Sequence, residues 1–313
     1  MAVLAKFDPD GGLLWIREIG DMGATHQSVN TLDISHDGRI AIAGRYLGTI
    51  QFPNGTFPAP VVSSYVALLD ANGGTLWGAV GSKDTYISSV KLTPESDVVL
   101  TGNIAYRSTF AAHELEPLAF ATQFAARLSA NGEPLWVRVL GTAGAVRDAI
   151  GVVVDPAGDT FFVSQQRADT PTSKNDKATI DAVDPNGQPL WVRQPASGVQ
   201  PFFTTVSPNG TIIMGGSVSG VVRSNQVVFR SDFGLGPRDG QMFVVAHDAE
   251  GHILDHTSVL GGCSVGIRKA ATSEAGGLAL VGGQGPGGTG DPLKPCLRHA
   301  GEYDAVIMLL DTK

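Results

Sequence analysis

Apolar and polar residues alternate in short segments along this chain, and the segments recur with a period of about 60 residues. In the first full period the alternating segments are 28–35, 39–44, 65–70 and 74–80, and turn-forming Gly, Asn and Asp residues lie between them. Period-two alternation bounded by such residues predicts four short strands, which we name a, b, c and d in chain order. Four antiparallel strands per repeat form the blade of a β-propeller, so the predicted fold class is an all-β propeller.

One position sets the phase of the repeats: the Asp or Ser that begins the c–d turn. It recurs at Asp8, Asp70, Ser129, Asp184, Asp248 and Asp311. The chain therefore begins with strands c and d of one repeat and ends with strands a, b and c of another. A five-bladed ring closes if segment 13–19 joins the last blade, and a six- or seven-bladed protein with a longer start is the alternative. Because open sheet edges promote aggregation, we expect a single closed five-bladed domain over residues 1–313.

Four of the copies carry a tryptophan directly after the c–d turn, in strand d. They are Trp15, Trp77, Trp136 and Trp191, and the fifth copy has Asp255 in their place. An indole ring is large enough to fill the wedge between neighbouring blades, so we expect these residues to pack blade against blade. A row of aromatic rings that stacks on carbohydrate is the functional alternative.

The motif Asp-x-x-Gly-x-x-Leu-Trp, with "SSYVALLD" before it and "GTIQFPNG" upstream, resembles the bacterial seven-bladed β-propeller (SBBP) repeat family. The resemblance covers essentially the whole chain and is clearest at 39–81. It implies a secreted or lipid-anchored bacterial surface protein, in a family whose members mostly have no known activity. The chain departs from the family pattern because it holds five periods and because the b–c connections of its third and fourth blades are degenerate.

The composition is that of a turn-dense β-protein, with 40 Gly, 18 Pro and 17% charged residues. The net charge is -8 and no basic cluster occurs, which argues against a nucleic-acid partner. No apolar run is long enough to span a membrane, and the first residues lack the features of a signal peptide. Either the precursor is longer or the protein is cytosolic. Because of the resemblance to the SBBP family, we expect the protein to be extracellular or located in the cell envelope.

Long and varied segments concentrate in the b–c connections, whereas the a–b and c–d turns are uniformly short. The b–c connections are 45–64, 104–121, 166–178, 217–241 and 284–302. In a propeller the b–c and d–a connections share one face, and binding residues on rigid scaffolds usually lie in such variable segments. We therefore expect a monomeric, non-catalytic binding or scaffold protein that takes a protein or glycan at this face and needs no cofactor. A purely structural surface repeat is a further alternative.

A carbohydrate-binding protein or glycoside hydrolase is the other functional hypothesis. Asp21, Asp84 and Asp148 all fall in d–a connections, just before the predicted innermost strands. Paired carboxylates around a central funnel could perform acid–base or nucleophilic chemistry on a glycosidic bond. Their offsets from the following strand differ, however, and an Asp at this point also accepts hydrogen bonds from turn amides. They are candidate catalytic residues, with turn capping as the structural interpretation.

The two cysteines lie in the last repeat. Cys263 falls in a d–a connection and Cys296 in the neighbouring b–c connection, so both belong to one face of the same predicted blade. This placement predicts a disulfide, which would imply an oxidising compartment. Two free thiols are the alternative.

The densest histidine group is His247, His252 and His256, around the last c–d turn. With the turn at 248–251, His247 and His252 are predicted to be cross-strand neighbours. Together with Asp248 or Asp255 they could bind zinc. Because a strand pair rarely aims three ligands at one point, exposed polar side chains without a metal are the interpretation we favour.

Overall fold

The computed structural model describes residues 2–19, 26–167, 176–195, 198–218, 221–223, 228–230, 241–259, 265–273, 277–284 and 304–310. Within these ranges every regular element is a β-strand. Accordingly, no helix there is long and apolar enough to cross a membrane. Residue contacts divide the chain into two compact units: residues 1–154 with 185–188 form unit 1, and residues 155–184 with 189–313 form unit 2.

Unit 1 contains the first two complete repeats, and their strands have the predicted antiparallel order a, b, c, d. The strands are β1 (Ala2–Phe7), β2 (Leu13–Ile19), β3 (His26–Ile34), β4 (Ile40–Phe52), β5 (Gly55–Leu69), β6 (Thr75–Lys83), β7 (Thr85–Leu92), β8 (Val98–Ile104), β9 (Ser108–Phe110), β10 (His113–Leu115), β11 (Thr122–Leu128), β12 (Pro134–Leu140) and β13 (Arg147–Val154). β1 pairs with β2; β3, β4, β5 and β6 form one sheet, which β9 and β10 extend; β7, β8, β11 and β12 form another.

Unit 2 continues the same pattern. Its strands are β14 (Thr160–Gln166), β15 (Lys177–Val183), β16 (Pro189–Arg193), β17 (Val199–Val206), β18 (Ile212–Val218), β19 (Val221–Arg223), β20 (Val228–Arg230), β21 (Gln241–His247), β22 (Ile253–Val259), β23 (Val265–Thr272), β24 (Leu278–Gln284) and β25 (Asp304–Leu310). β14, β15 and β16 pair in sequence, as do β17, β18, β21 and β22, and β23, β24 and β25. β19 and β20 form a separate ladder in the fourth b–c connection. The last repeat therefore shows strands a, b and c among the described residues.

The tight turns explain why Asp and Ser recur in phase. In each turn the N–H of the first residue donates to the carbonyl oxygen of the residue four positions later. The side chain of the first residue then caps the turn. Asp70 shows the arrangement: its Oδ1 accepts the N–H groups of Asn72 and Gly74, both at 2.8 Å. The same backbone pattern begins at Asp8, Ser35, Asp70, Thr93, Ser129, Asp155, Ser207 and Asp248. These polar residues are used within their own turns.

A β-bulge interrupts strand a of the repeats at one recurring place. Opposite the bulge stands a glycine of strand b, for example Gly44 or Gly102. A Cβ atom at Gly44 would overlap the carbonyl oxygen of Ser28, and one at Gly102 would overlap that of Tyr86. The glycine is therefore required by the close approach of the bulged strand.

The central strands of unit 1 are buried on both faces. On β4, Ala41 and Ala43 belong to a core cluster shared with the sheet of β7, β8, β11 and β12, whereas Ile40 and Ile42 belong to a cluster shared with β1 and β2. All seven residues of β11 are buried. Adjacent sheets therefore supply each other's core, as the blades of a propeller-like fold do.

The first b–c connection differs from the long loop that we predicted. β4 and β5 continue through it as a hairpin, and only Pro53 and Asn54 lie outside the strands. The side-chain amide of Asn54 bonds both backbone groups of Gly78, at 2.8 and 2.9 Å, which holds the hairpin against β6. Period-two alternation within this segment and its Asn-Gly turn explain the hairpin. The second connection likewise contains the β9–β10 hairpin, which pairs with β6.

Candidate functional site

A cavity of about 400 Å³ opens in unit 1 where the second b–c connection meets the start of strand a. We call it the repeat-two cavity. It is lined by Arg45, Val62, Asp84, Thr85, Tyr86, Asn103, Ile104, Ala105 and Ala121. Arg45 lies on β4 and Val62 on β5, whereas Asp84, Thr85 and Tyr86 lie where β6 passes into β7. The remaining residues come from the end of β8 and the two ends of connection 104–121. The cavity therefore lies among the b–c and d–a connections that the sequence singled out.

Asp84 is the one predicted carboxylate that lines this cavity. It is the single residue between β6 and β7, and its φ of 65° lies in the left-handed region, which Asp tolerates better than most residues. The N–H of Ala105 donates to its carbonyl oxygen at 3.3 Å. Its carboxylate lies 3.7 Å from the exposed ammonium of Lys83 and has no other partner among the described residues. The backbone of Asp84 is therefore held in place while its carboxylate stays open to a ligand.

Arg45 brings a positive charge to the same cavity. Its guanidinium carbon lies over the ring of Tyr86, 4.4 Å from the ring centroid. Its Nε is buried without a hydrogen-bond partner, and the side chain forms no ion pair with any residue that the structure describes. Stacking on an aromatic face positions the guanidinium without neutralising it. Its charge is thus available to an acidic group of a ligand.

Asn103 lines the cavity but its amide is engaged with β13. Nδ2 donates to the carbonyl oxygen of Arg147 at 2.6 Å, and Oδ1 accepts the N–H of Ala149 at 3.0 Å. These two bonds bracket Asp148, which is the second residue of β13. Asp148 therefore lies within the strand, and our placement of it in a d–a connection was wrong. Asn103 positions β13 beside the cavity.

The three candidate carboxylates are not brought together by the described residues. Asp84 lines the repeat-two cavity, Asp148 lies in β13 outside its lining, and Asp21 lies outside the described residues. Cys263 and Cys296 also lie outside the described residues, so their pairing remains a prediction. An acid–base pair is consequently not assembled in the part of the site that the structure describes.

Sequence reasoning missed an aromatic pair on connection 104–121, the two ends of which line the cavity. Tyr106 and Phe120 stand next to the lining residues Ala105 and Ala121, and their ring centroids are 6.3 Å apart in an edge-to-face arrangement. The two residues are 58% and 69% exposed. From the sequence we placed Tyr106 and Phe120 in the b–c connection 104–121 and assigned them no role. The sequence signal that could have revealed the pair was the occurrence of large apolar residues in a connection where we predicted no strand.

The four tryptophans lie away from this cavity and share another contact. Each indole N–H donates to a carbonyl oxygen in the c–d turn of the following repeat, at 2.9 to 3.3 Å. The pairs are Trp15 with Ala71, Trp77 with Ala130, Trp136 with Pro185 and Trp191 with Ala249. The turn glycine against each ring has a positive φ, and a Cβ there would lie 2.7 to 3.1 Å from the ring; these residues are Gly73, Gly132, Gly187 and Gly251. The contact couples consecutive repeats.

The histidines do not converge. His247 is fully buried and pairs across the sheet with Ile253, not with His252, because a bulge shifts the register. Both of its ring nitrogens lack a hydrogen-bond partner among the described residues, and burial lowers its pKa to about 4. His256 is exposed on β22.

A different group around the last c–d turn has metal-ligand geometry. Asp248, Glu250 and His252 each place one ligand atom within 4.8 Å of the others. The Asp248 carboxylate accepts the backbone N–H of His252 at 2.7 Å and lies 3.1 Å from its Nδ1. Both oxygens of this carboxylate are thus already used within the turn, and Glu250 and His252 are exposed. We assign it to turn capping.

No protein-family model matches the chain, and no curated protein matches it either. A protein of unknown function from Dyadobacter fermentans is similar in structure, with 11% identity, a TM-score of 0.52, and coverage of 98% of this chain and 80% of that one. A protein of unknown function from Bacteroides caccae has 11% identity and a TM-score of 0.48, covering 89% and 81%. A candidate exo-beta-1,3-galactanase from Bifidobacterium bifidum has 12% identity and a TM-score of 0.44, covering 99% and 93%. At this identity the similarity to the Dyadobacter fermentans protein concerns the all-β fold alone.

Proposed function

We propose that this chain is a non-catalytic binding module of the SBBP type, a five-bladed propeller over residues 1–313 that acts outside the cytoplasm. Its ligand binds at the face that carries the b–c and d–a connections, and the repeat-two cavity is the binding site. The proposal goes beyond the fold, because a β-propeller-like scaffold by itself does not specify a ligand.

The observation that carries the proposal is the difference between the polar groups at the two kinds of connection. In the tight turns, Asp and Ser side chains bond their own backbone amides. In the repeat-two cavity, neither the Arg45 guanidinium nor the Asp84 carboxylate bonds a backbone group of the described residues, and the ionic neighbour of the carboxylate among them is the exposed Lys83. Buried or half-buried polar groups usually find partners, so unused ones that face a cavity favour a ligand.

Binding without catalysis is supported by the composition of the lining. Glycoside hydrolysis requires two carboxyl groups on either side of the scissile bond. Asp84 is the only carboxylate in the described lining of the cavity. A site with one carboxylate, one guanidinium and one phenol can hold a polar ligand by hydrogen bonds and charge, which is what a binding module needs.

The test is a binding screen of the purified chain against a broad glycan array, repeated with Arg45→Gln and Asp84→Asn. Arg39→Gln and Asp37→Asn are matched controls, because this exposed pair, 3.2 Å apart, lies in an a–b turn. We expect each cavity variant to weaken binding by about tenfold or more, the loss of one charge-assisted hydrogen bond, while both controls bind normally. Ligand binding that survives both cavity changes, or a chain that binds no glycan on the array, would count against the proposed site.

A further inference from the structure

The aromatic pair beside the repeat-two cavity is exposed yet firmly held. The N–H of Arg147 donates to the carbonyl oxygen of Ala121 at 2.9 Å, and Thr122 Oγ1 accepts the N–H groups of Leu118 and Ala119 at 3.0 and 2.9 Å. These bonds fix the chain on both sides of Phe120. Tyr106 is held on the other strand of the connection, where Ser108 Oγ donates to its carbonyl oxygen at 2.8 Å.

Such a pair provides a preformed apolar platform. The face of an aromatic ring carries partial negative charge, and the axial C–H groups of a pyranose carry partial positive charge, so a sugar ring stacks well on an exposed aromatic face. Little conformational entropy is lost when the platform is already ordered, which favours binding. The platform therefore selects a ligand that has both an apolar face and polar edges.

The cavity next to the platform supplies groups for two kinds of polar edge. The Asp84 carboxylate is an acceptor and suits hydroxyl groups on neighbouring carbons. Arg45 is a fixed fork of donors without an acidic partner among the described residues, and a carboxylate is the group that matches this fork best. The chain carries a net charge of -8, but charges farther away than about 8 Å are screened at physiological salt, so the local guanidinium dominates at contact.

We propose that the ligand of the repeat-two cavity is an oligosaccharide that contains hexuronic acid. This inference rests on the proposed binding function and names its ligand class. The uronate ring stacks on the exposed face of one of the two nearly perpendicular rings, Tyr106 or Phe120. Its carboxylate pairs with Arg45, and its ring hydroxyls donate to Asp84. A neutral hexose satisfies the platform and Asp84 but leaves Arg45 unpaired, and an acidic peptide satisfies Arg45 but offers no ring with an apolar face and adjacent hydroxyls.

The experiment measures binding of the full chain to oligoglucuronate, oligogalacturonate and oligomannuronate, each beside the neutral oligosaccharide of the same ring configuration. Isothermal titration calorimetry gives the affinities. We expect at least one uronate to bind about tenfold or more tightly than its neutral counterpart, because one charge-assisted contact is lost with the carboxylate. This preference should diminish with added salt, since the Arg45 contact is electrostatic.

Variants separate the two parts of the site. Arg45→Gln is expected to abolish the preference for the uronate, whereas Arg45→Lys retains part of it. Phe120→Ala and Tyr106→Ala are expected to weaken both ligands of a pair alike. Phe7→Ala, which removes an exposed aromatic ring on β1, is the matched control for the platform, and Arg39→Gln is the control for charge. Thermal unfolding of each variant verifies that the fold is intact.

The outcomes distinguish this inference from the proposed function. Equal binding of uronate and neutral partners, or no binding of any uronate, overturns the hexuronate inference. If a neutral glycan then binds and Asp84→Asn weakens it, the proposed binding function stands without the inference. A uronate preference that survives Arg45→Gln overturns the assignment to this cavity.

Discussion

Arg127 and Arg45 are two arginines of unit 1 that the structure uses in opposite ways. Arg127 lies near the c–d turns, and its Nε and Nη2 contact Asp97 Oδ2 at 2.9 and 2.8 Å. Its Nη1 also donates to the carbonyl oxygen of Pro185 at 3.2 Å. Arg45 lies at the repeat-two cavity, where it stacks on Tyr86 and bonds no described side chain. A charge that is enclosed and paired serves folding, whereas a charge that is positioned and unpaired is available for binding.

Unit 2 contains a buried polar side chain that, like Arg45 Nε, has no hydrogen-bond partner among the described residues. The position opposite the first residue of strand b holds Leu69, Leu128 and Val183 in three repeats. In the fourth repeat the equivalent residue, opposite Ile212, is His247, whose ring is buried without a hydrogen-bond partner in the part of the chain that the structure describes. An unsatisfied group in the core destabilises the protein, while an unsatisfied group at a cavity serves a ligand.

The largest expected effect concerns the two arginines. Arg127→Met leaves the Asp97 carboxylate half-buried without its cation, so we expect the free energy of unfolding to fall by about 3 kcal/mol. Arg45→Met, the matched change, removes only a stacking contact and is expected to cost less than about 1 kcal/mol. Urea unfolding followed by circular dichroism measures both. Similar losses for the two variants would show that Arg45 has a structural role as well.

The second effect is a pH dependence that His247 produces. Its pKa is about 4 in the folded chain and has the ordinary value of 6.5 when unfolded. The unfolded state therefore binds the proton first, and stability is full above the unfolded pKa and is lost as the pH falls from there towards the folded pKa. We expect a loss of about 3 kcal/mol over this range. Urea unfolding of the wild type and of His247→Leu across this pH window measures the difference.

His247→Leu restores the apolar residue found at this position in other repeats. The variant is expected to be at least as stable as the wild type at neutral pH and to lose less stability in acid. His252→Leu is the control, because this exposed histidine lies in the adjacent turn. An identical pH profile for the wild type and His247→Leu would show that the acid sensitivity arises elsewhere.

The smallest effect tests the contact between tryptophans and turns. Gly132 has a φ of 88°, and a Cβ there would lie 2.7 Å from Trp77 Cδ2. Gly144 has a φ of 80° and nothing within 4 Å of such an atom. Ala at either site costs about 1 kcal/mol for the left-handed backbone. We expect Gly132→Ala to cost about 1 kcal/mol more than Gly144→Ala in urea unfolding, because it also displaces the indole. Equal costs would argue against packing between repeats at this point.

Much of the fold could be predicted because its signals are local. The a–b–c–d order follows from period-two segments and from Asp, Ser and Gly at turn positions, and a tight turn is closed by atoms within five consecutive residues. The two hairpins inside b–c connections were harder to predict. Their alternation was present in the sequence, but the edge of β6 that they cover is brought near them by the folded chain.

The candidate site could be predicted only in part. The sequence determined the repeat, its turns, its net charge and the positions of the b–c and d–a connections, in which we propose that the binding residues lie. The tertiary structure decided that Asp84 and not Asp148 lines the repeat-two cavity, that Arg45 has no acidic partner in the described part of the chain, and that Tyr106 meets Phe120. Turn and strand preferences depend on neighbouring residues, whereas the partner of a side chain depends on residues distant in the chain that packing brings within a few ångströms.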